Sequence, residues 1–363
     1  MKDKKIEFTL LIGVILISIF GIIMIYSASS IWAFYKYNDS YKYLKNQLLF
    51  FTIGLILLYF VSKIDYKKYY KYSNKILFIC IILLILVLIP GIGSIRNGSR
   101  SWFGIGSFGI QPSEFAKLGL IIFASKYLFN NPSSMKDIKR GVLPLLFITL
   151  LVFGLTMLQP DFGTGFIIVM SIIGIMFISG LDIKIFIKFG ILGLIGIIVL
   201  IIIAPYRLKR ILSFLDPWSD PLGSGFQIIQ SLYSIGPGGL FGLGFGNSIQ
   251  KHFYLPEPQT DFIFSIISEE FGILGIIIVS ALFIIIFYSM LKISIKCDDL
   301  FGKYLSFGIT FGLIFQTILN LSVVVGLVPV TGVTLPFLSY GGSSLLITMI
   351  SIGIVLNISR YTR

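Results

Sequence analysis

The chain has 363 residues, with 29 lysines and arginines against 16 acids and a formal net charge of +13. Hydrophobic residues nevertheless make up 56% and charged residues only 12%, at a mean hydropathy of +0.95. Soluble domains carry about twice that charged fraction, so a water-soluble fold is excluded and a polytopic membrane protein is expected. The basic residues sit in short loops between apolar runs, which excludes nucleic acid as their partner and fits loops on the cytoplasmic side. Two cysteines, Cys80 in an apolar run and Cys297 in a basic loop, form no disulfide framework and are expected as free thiols.

The start, Met1 to Ser30, joins Lys2, Lys4 and Lys5 to an apolar run ending at Ser27-Ala28-Ser29. About twenty apolar residues exceed a signal-peptide core and suffice to span, so a retained first helix is expected. Apolar runs of spanning length follow in order at 8–28, 46–62, 74–90, 112–128, 142–158, 162–180, 186–204, 261–290, 304–324 and 339–357. They predict an all-α integral membrane protein of about ten transmembrane helices, a single domain over 1–363. With a cytoplasmic N-terminus, the inner segments hold nineteen lysines and arginines and the outer segments nine. The positive-inside rule then puts both termini in the cytoplasm. Four polar segments fall outside: 91–111, 159–161, a large extracellular loop at about 205–260 between helices 7 and 8, and 325–338. The inner loops are short and chemically plain, so any chemistry is expected outside.

In the first polar segment, Arg96-Asn97-Gly98-Ser99-Arg100-Ser101-Trp102 sets an aromatic beside arginines. Trp102 taken alone reads as an interfacial anchor. Arg100 is the stronger candidate, because an external arginine opposes the topology signal and guanidinium suits phosphate. Two helices then open alike, with Gln111-Pro112-Ser113-Glu114 and Gln159-Pro160-Asp161-Phe162. Proline at the first helical position and an acid in the first turn are capping chemistry, and the likeness hints at a weak internal repeat. Capping does not account for Lys117, one turn deeper on the face of Glu114. The two are either a self-neutralising pair or part of a charged pocket.

The long loop offers Arg207 and Arg210, then the glycine run Gly236 to Gly246. No Gly-Lys-Ser/Thr follows, so this is not a nucleotide-phosphate loop. Its interleaved apolar residues suggest a segment lying on the membrane or folding back into a cavity. His252 stands alone and reads as structural. The loop closes with Tyr254-Leu255-Pro256-Glu257-Pro258-Gln259-Thr260-Asp261, which places a carboxylate at the mouth of the eighth helix. An ionisable group there is costly and marks a candidate site, although an N-capping aspartate is the plain alternative. Glu269 and Glu270, two turns on, have no assigned role; Glu269 lies about 80° around the helix axis from Asp261. Finally, Val328 to Ser344 breaks an apolar region with prolines, glycines and hydroxyls, Ser339 among them. Irregular backbone at membrane depth must be buried or line a wet cavity, so it is expected to wall the site.

Taken together, Arg-Ser-Trp, Gln-Pro-Ser-Glu-Phe-Ala-Lys, Gln-Pro-Asp-Phe-Gly-Thr, Leu-Pro-Glu-Pro-Gln-Thr-Asp-Phe-Ile-Phe and Leu-Pro-Phe-Leu-Ser-Tyr-Gly-Gly-Ser-Ser resemble the SEDS family of shape, elongation, division and sporulation proteins. The likeness runs from the first helix to the last, and its ending Leu-Asn-Ile-Ser-Arg-Tyr is closer to the FtsW and SpoVE branch than to RodA. The resemblance implies a multi-pass protein of the bacterial cytoplasmic membrane that builds cell wall as a peptidoglycan glycosyltransferase, polymerising lipid II on the outer face. It also implies a class B penicillin-binding protein as transpeptidase partner, alongside other divisome or elongasome membrane proteins and membrane lipids. The family's essential aspartate maps onto Asp261. Two departures stand out: Phe253 replaces an acid carried by some division members, and Gln259 a frequent histidine.

On this reading Asp261 is the expected general base of an inverting glycosyl transfer, held ionised by a cation such as Lys117. Arg100, Arg207 and Arg210, with the helix starts at Gln111 and Gln159, would hold a polyprenyl-pyrophosphate donor; Trp102, Ser113, Glu114, Asp161 and Ser339 complete the expected substrate contacts. The residues establish no cofactor. A divalent cation, Mg or Mn, would suit a pyrophosphate, but the acids form no recognisable cage. The rival reading is a lipid II flippase, which predicts charged groups continuing across the membrane midplane.

Overall fold

The structure, a computed structural model, describes residues 7–96, 98–104, 109–132, 135, 137–203 and 205–362, without the side chains of 194, 197, 199–201, 203 and 205–207. Its long helices follow the apolar runs in order. They are α1 (Phe8–Tyr37), α2 (Lys42–Lys63), α3 (Lys67–Leu86), α4 (Pro112–Asn130), α5 (Leu143–Leu158), α6 (Phe162–Ile178) and α7 (Ile183–Ile203). Within the long loop come α8 (Pro205–Leu215) and α9 (Phe226–Ile235), followed by α10 (Ile263–Lys296), α11 (Leu300–Val324) and α12 (Gly342–Ser359). Among the described residues seven helices are long and apolar enough to cross a membrane, and α6 is a shorter apolar helix. The protein is an all-α integral membrane protein, and one face of α1 (Ile12, Leu16, Ile19, Ile23) stays exposed as lipid-facing surface must.

The bundle is held by close approaches at small residues, the packing that works where lipid removes the hydrophobic drive between helices. α2 lies along α12, α3 along α4, α1 along α10, and α11 between α10 and α6. A Cβ built on Gly353 of α12 would sit 2.9 Å from the Leu58 carbonyl of α2, so a larger residue would force these two helices apart. At the end carrying the termini, Asn357 ties α12 to the α2–α3 turn: its amide donates to the Ser62 carbonyl (2.8 Å) and its oxygen accepts from the Tyr66 N–H (2.9 Å). The Glu7 N–H reaches the Ser359 hydroxyl (3.4 Å), which joins the start of α1 to the end of α12.

The opposite end carries the irregular segments. A hairpin of β1 (Ser94–Arg96) and β2 (Ser99–Trp102) precedes α4. α4, α6, α10 and α12 all begin at this end, so their positive dipole ends gather there. The eighth apolar run does not start on Asp261. α10 begins at Ile263, its N-cap position is Phe262, and no side chain caps it. Asp261 therefore caps nothing.

α10 is also not the unbroken helix its apolar run predicts. Gly272 interrupts it at φ +60°, ψ −152°, backbone that only glycine adopts readily. The glycine run of the long loop fills the break. The N–H groups of Leu243 and Gly244 donate to the Glu269 and Glu270 carbonyls (2.9 and 3.0 Å), while those of Ile273 and Leu274 donate to the Gly239 and Leu240 carbonyls (3.0 and 3.1 Å). The run folds back into the protein, and the carbonyls and amides freed by the kink find partners.

Candidate active site

The last residues before α10 are held by their backbone. Thr260 closes a tight turn, its N–H and hydroxyl both donating to the Glu257 carbonyl (3.0 and 2.7 Å). Three successive carbonyls then receive donors from elsewhere. The Tyr340 N–H donates to Gln259 (2.8 Å), the Ser339 hydroxyl to Thr260 (2.7 Å) and the Asn320 amide to Asp261 (2.8 Å). Asn320 also donates to the Val333 carbonyl (2.7 Å), which joins α11 to the irregular 328–341 segment. The Asp261 backbone is thus fixed while its carboxylate makes no hydrogen bond among the described residues. That carboxylate lies on the wall of a cavity of about 1670 Å³.

Burial and the negative charge of Glu257 push the Asp261 carboxyl up to about 6, with Asp161 adding to the rise and Arg210 opposing it. The opposing cation is thus Arg210, not Lys117. Arg210 stands on the cavity wall, where its Nη1 donates to the Val330 carbonyl (3.1 Å). Lys117 is buried and committed elsewhere, to Glu114 Oε2 (2.8 Å) and to Gln316 Oε1 (2.9 Å). Gln316 in turn donates to the Thr334 carbonyl (3.0 Å). Lys117 therefore braces α4 against α11 and the 328–341 segment, and only the Glu114 end of the pair reaches the cavity.

The two Gln-Pro helix starts meet. Asp161 Oδ1 caps α6 by accepting the Thr164 N–H (3.2 Å). Its Oδ2 accepts from Gln111 Nε2 (2.9 Å) and from the Ser113 hydroxyl (3.1 Å) at the start of α4. Burial raises the Asp161 carboxyl; the bonds from Thr164 and Ser113 pull against it.

Of the expected site residues, Asp261, Trp102, Gln111, Glu114, Asp161 and Arg210 line the cavity. Ser113 and Ser339 act on their neighbours, through Asp161 and the Thr260 carbonyl. The Arg207 side chain, and residues 97 and 105–108 of the adjoining motif, lie outside the described residues. Arg100 is off the wall, although Ser99, Ser101 and Trp102 of the same strand line it. The arginine that reaches it is Arg96, stacked over the Trp102 ring at 4.9 Å, with its Nη2 buried and unpartnered among the described residues. Lys36, Lys42 and Lys251 also line it. Among the described residues no three His, Cys, Asp or Glu side chains are grouped to hold a metal ion.

Glu269 and Glu270 take up a role on the long loop. Both are fully buried. Glu269 accepts the Ile249 N–H (2.9 Å) and the Ser248 hydroxyl; Glu270 pairs with Lys251 (3.0 Å) and accepts the Ser27 hydroxyl of α1 (2.6 Å). They hold the loop around Lys251, upstream of Asp261.

Fold and cavity define a polytopic helical membrane protein with a fixed carboxylate and several cations at one end of its bundle. Residues 8–363 match the FtsW, RodA and SpoVE family model, described as a cell cycle protein. The chain is 50% identical to stage V sporulation protein E of Bacillus subtilis over the whole of both chains. It is 40% identical to the "Probable peptidoglycan glycosyltransferase FtsW" of Trichlorobacter lovleyi, over 97% of this chain and 93% of that one. Among solved structures it is similar to a chain of a peptidoglycan synthase complex that coordinates polymerization and crosslinking, at TM-score 0.81 and 30% identity over 99% of each chain. It is also similar to the rod shape determining protein RodA of Thermus thermophilus, at TM-score 0.72 and 28% identity, over 98% of this chain and 97% of that one. The chain belongs to the FtsW, RodA and SpoVE family of multi-pass cytoplasmic membrane proteins of peptidoglycan synthesis.

Proposed function

We propose that this protein is a peptidoglycan glycosyltransferase that polymerises lipid II on the outer face of the membrane, with Asp261 as general base. The observation that carries the reading is the Asp261 carboxylate: backbone fixed, side chain unbonded among the described residues, on the wall of a large cavity. A base must be positioned without being spent on structural bonds. In the proposed step the 4-hydroxyl oxygen of the acceptor sugar attacks the anomeric carbon of the donor. The carbon–oxygen bond to the polyprenyl pyrophosphate breaks, its electron pair leaves with the pyrophosphate, and the hydroxyl proton passes to Asp261. One displacement inverts the donor's α-linkage to β, and no covalent intermediate is needed.

The leaving pyrophosphate gathers negative charge as the bond breaks. Arg96 and Arg210 on the cavity wall, with the N-terminal ends of α4 and α6, are the groups that would receive it. A class B penicillin-binding protein is the transpeptidase partner this reading calls for, and the likeness to a synthase complex supports it.

The test gives lipid II to the purified protein with its transpeptidase partner and measures glycan strands. The native protein is expected to make polymer, and Asp261→Ala to make at least about a hundredfold less. If Asp261→Ala polymerises at the native rate, the base assignment is wrong. If the native protein makes no strands but moves lipid II across vesicle membranes, it is a transporter instead.

A further inference from the structure

One part of the cavity wall has no place in that chemistry. The end of α1 and the loop before Asp261 meet through three aromatic rings. Phe253 stands edge-on to Trp32 (centroids 5.3 Å apart, 64° between planes) and to Tyr35 (5.4 Å, 75°). Trp32 and Tyr35 are stacked at 6.3 Å. Trp32 and Phe253 both line the cavity, whereas Tyr35 stands exposed at its rim. The trio therefore runs from inside the cavity outward.

Two details separate this cluster from ordinary interfacial aromatics. Phe253 is held at φ +67°, and Glu257, four residues on, at φ +46°. Left-handed backbone is strained at a bulky residue, and such strain gathers at ligand sites. Half of the Phe253 side chain nonetheless remains exposed, so burial does not repay the strain. In addition, the Trp32 indole Nε1 is buried with no hydrogen-bond partner among the described residues. An indole N–H is a donor that usually finds an acceptor when buried.

We propose that Trp32, Tyr35 and Phe253 form a saccharide subsite, stacking on the apolar face of an N-acetylated pyranose of the glycan. A pyranose has the matching chemistry: axial C–H groups on its faces for the rings, and hydroxyl and acetamido oxygens at its edge as acceptors. Tyr37 and Lys42, also on this wall, add polar edge contacts of the kind that orient a ligand in an aromatic-lined pocket. The subsite rests on the polymerase reading for its occupant, and it is continuous with the cavity that holds Asp261.

The experiment uses full-length protein in detergent and a soluble probe, an N-acetylglucosamine β-1,4 hexamer, with a maltose oligomer of equal length as control. The native protein is expected to bind the acetylated oligomer and not the control. Phe253→Gly removes the ring and relieves the strained backbone, so it is expected to be at least as stable as native and to bind at least tenfold more weakly. Phe253→Tyr is expected to keep affinity and Phe253→Leu to lose it. Equal binding by Phe253→Gly, or full rescue by leucine, would overturn the proposal and leave the trio as an interfacial anchor. No binding of the acetylated oligomer by the native protein would overturn it as well. With lipid II, a raised KM at native strand length in Phe253→Gly assigns the subsite to the lipid-linked sugar, and shortened strands at native KM assign it to the growing chain; either change supports it. Because binding is read without turnover, a native protein that binds the oligomer but never polymerises sinks the enzyme reading alone.

Discussion

Breaking the buried pair of Glu270 and Lys251 is expected to cost far more than removing it. Glu270 is fully buried and Lys251 nearly so, and their charged atoms lie 3.0 Å apart. The carboxylate also accepts two contacts from the Ser27 hydroxyl (2.6 and 2.8 Å) and one from the Ser248 N–H (3.3 Å). The ammonium is completed by Ser27 and the Gly246 carbonyl. Glu270→Gln leaves a buried cation facing a neutral amide, and Lys251→Met leaves a buried anion; each should cost about 3–5 kcal/mol. Lys251 touches the cavity, where water can relieve a stranded charge, so the glutamine variant should fall near about 3 kcal/mol. The double variant Lys251→Met with Glu270→Leu leaves no charge behind and should lie within about 2 kcal/mol of native. Reversible unfolding in mixed detergent micelles would measure all three, and the double-mutant cycle should show a coupling of at least about 2 kcal/mol. Single losses under about 1 kcal/mol that add in the double variant would show a solvated, independent pair. The loop would then not be anchored to α10 by charge.

Two further outcomes follow from the site. On the proposed reading the Asp261 carboxylate accepts the proton, and its carboxyl is pushed up to about 6; polymerisation should therefore fall as pH drops through about 6 and level off above about 7. Arg210 lowers that value, so Arg210→Met should move the inflection of the pH–rate profile upward, and a downward move would contradict the assignment of the counter-charge. Gly272→Ala should be among the most damaging single methyl additions in the protein. Its Cβ would lie 2.6 Å from the Gly238 and Gly239 carbonyls and the Gly242 nitrogen, all backbone, whereas a Cβ on Gly154 meets nothing within 4 Å. In the same unfolding assay Gly154→Ala should gain up to about 1 kcal/mol and Gly272→Ala should lose several times that.

The helices are legible in the sequence because lipid forces each apolar run to satisfy its own backbone; each predicted run overlaps one of the long helices, with bounds that differ by a few residues. The Gln-Pro starts are legible as caps, but not as a pair joined by Asp161, since nothing in spacing says that two helix ends 48 residues apart share one carboxylate. The break at Gly272 is hidden for a related reason. An apolar run containing one glycine reads as continuous helix until a loop from elsewhere supplies partners for the broken bonds. Glu269 and Glu270 show in the sequence only as unexplained acids, because the cation of Glu270, Lys251, belongs to no periodic pattern with them. Arg96 rather than Arg100 reaches the cavity, and no spacing or motif in the sequence singles Arg96 out.

The cavity sets two demands on Asp261 that oppose each other. A pyrophosphate needs cations, and on the proposed reading Arg96, Arg210, Lys36 and Lys42 on the wall supply them, together with the starts of α4, α6, α10 and α12 at this end. That same field stabilises a carboxylate and would leave Asp261 too weak a base to take a hydroxyl proton. Glu257 and Asp161 resolve the conflict. Both raise the Asp261 carboxyl, in concert with its burial, and both line the same cavity. Asp161 is itself kept in place by the cap of α6 and by Gln111 and Ser113 from the start of α4. On the proposed reading, the acid of the second Gln-Pro start, which alone looks like a capping residue, thus helps keep Asp261 basic beside the cations that would hold the pyrophosphate.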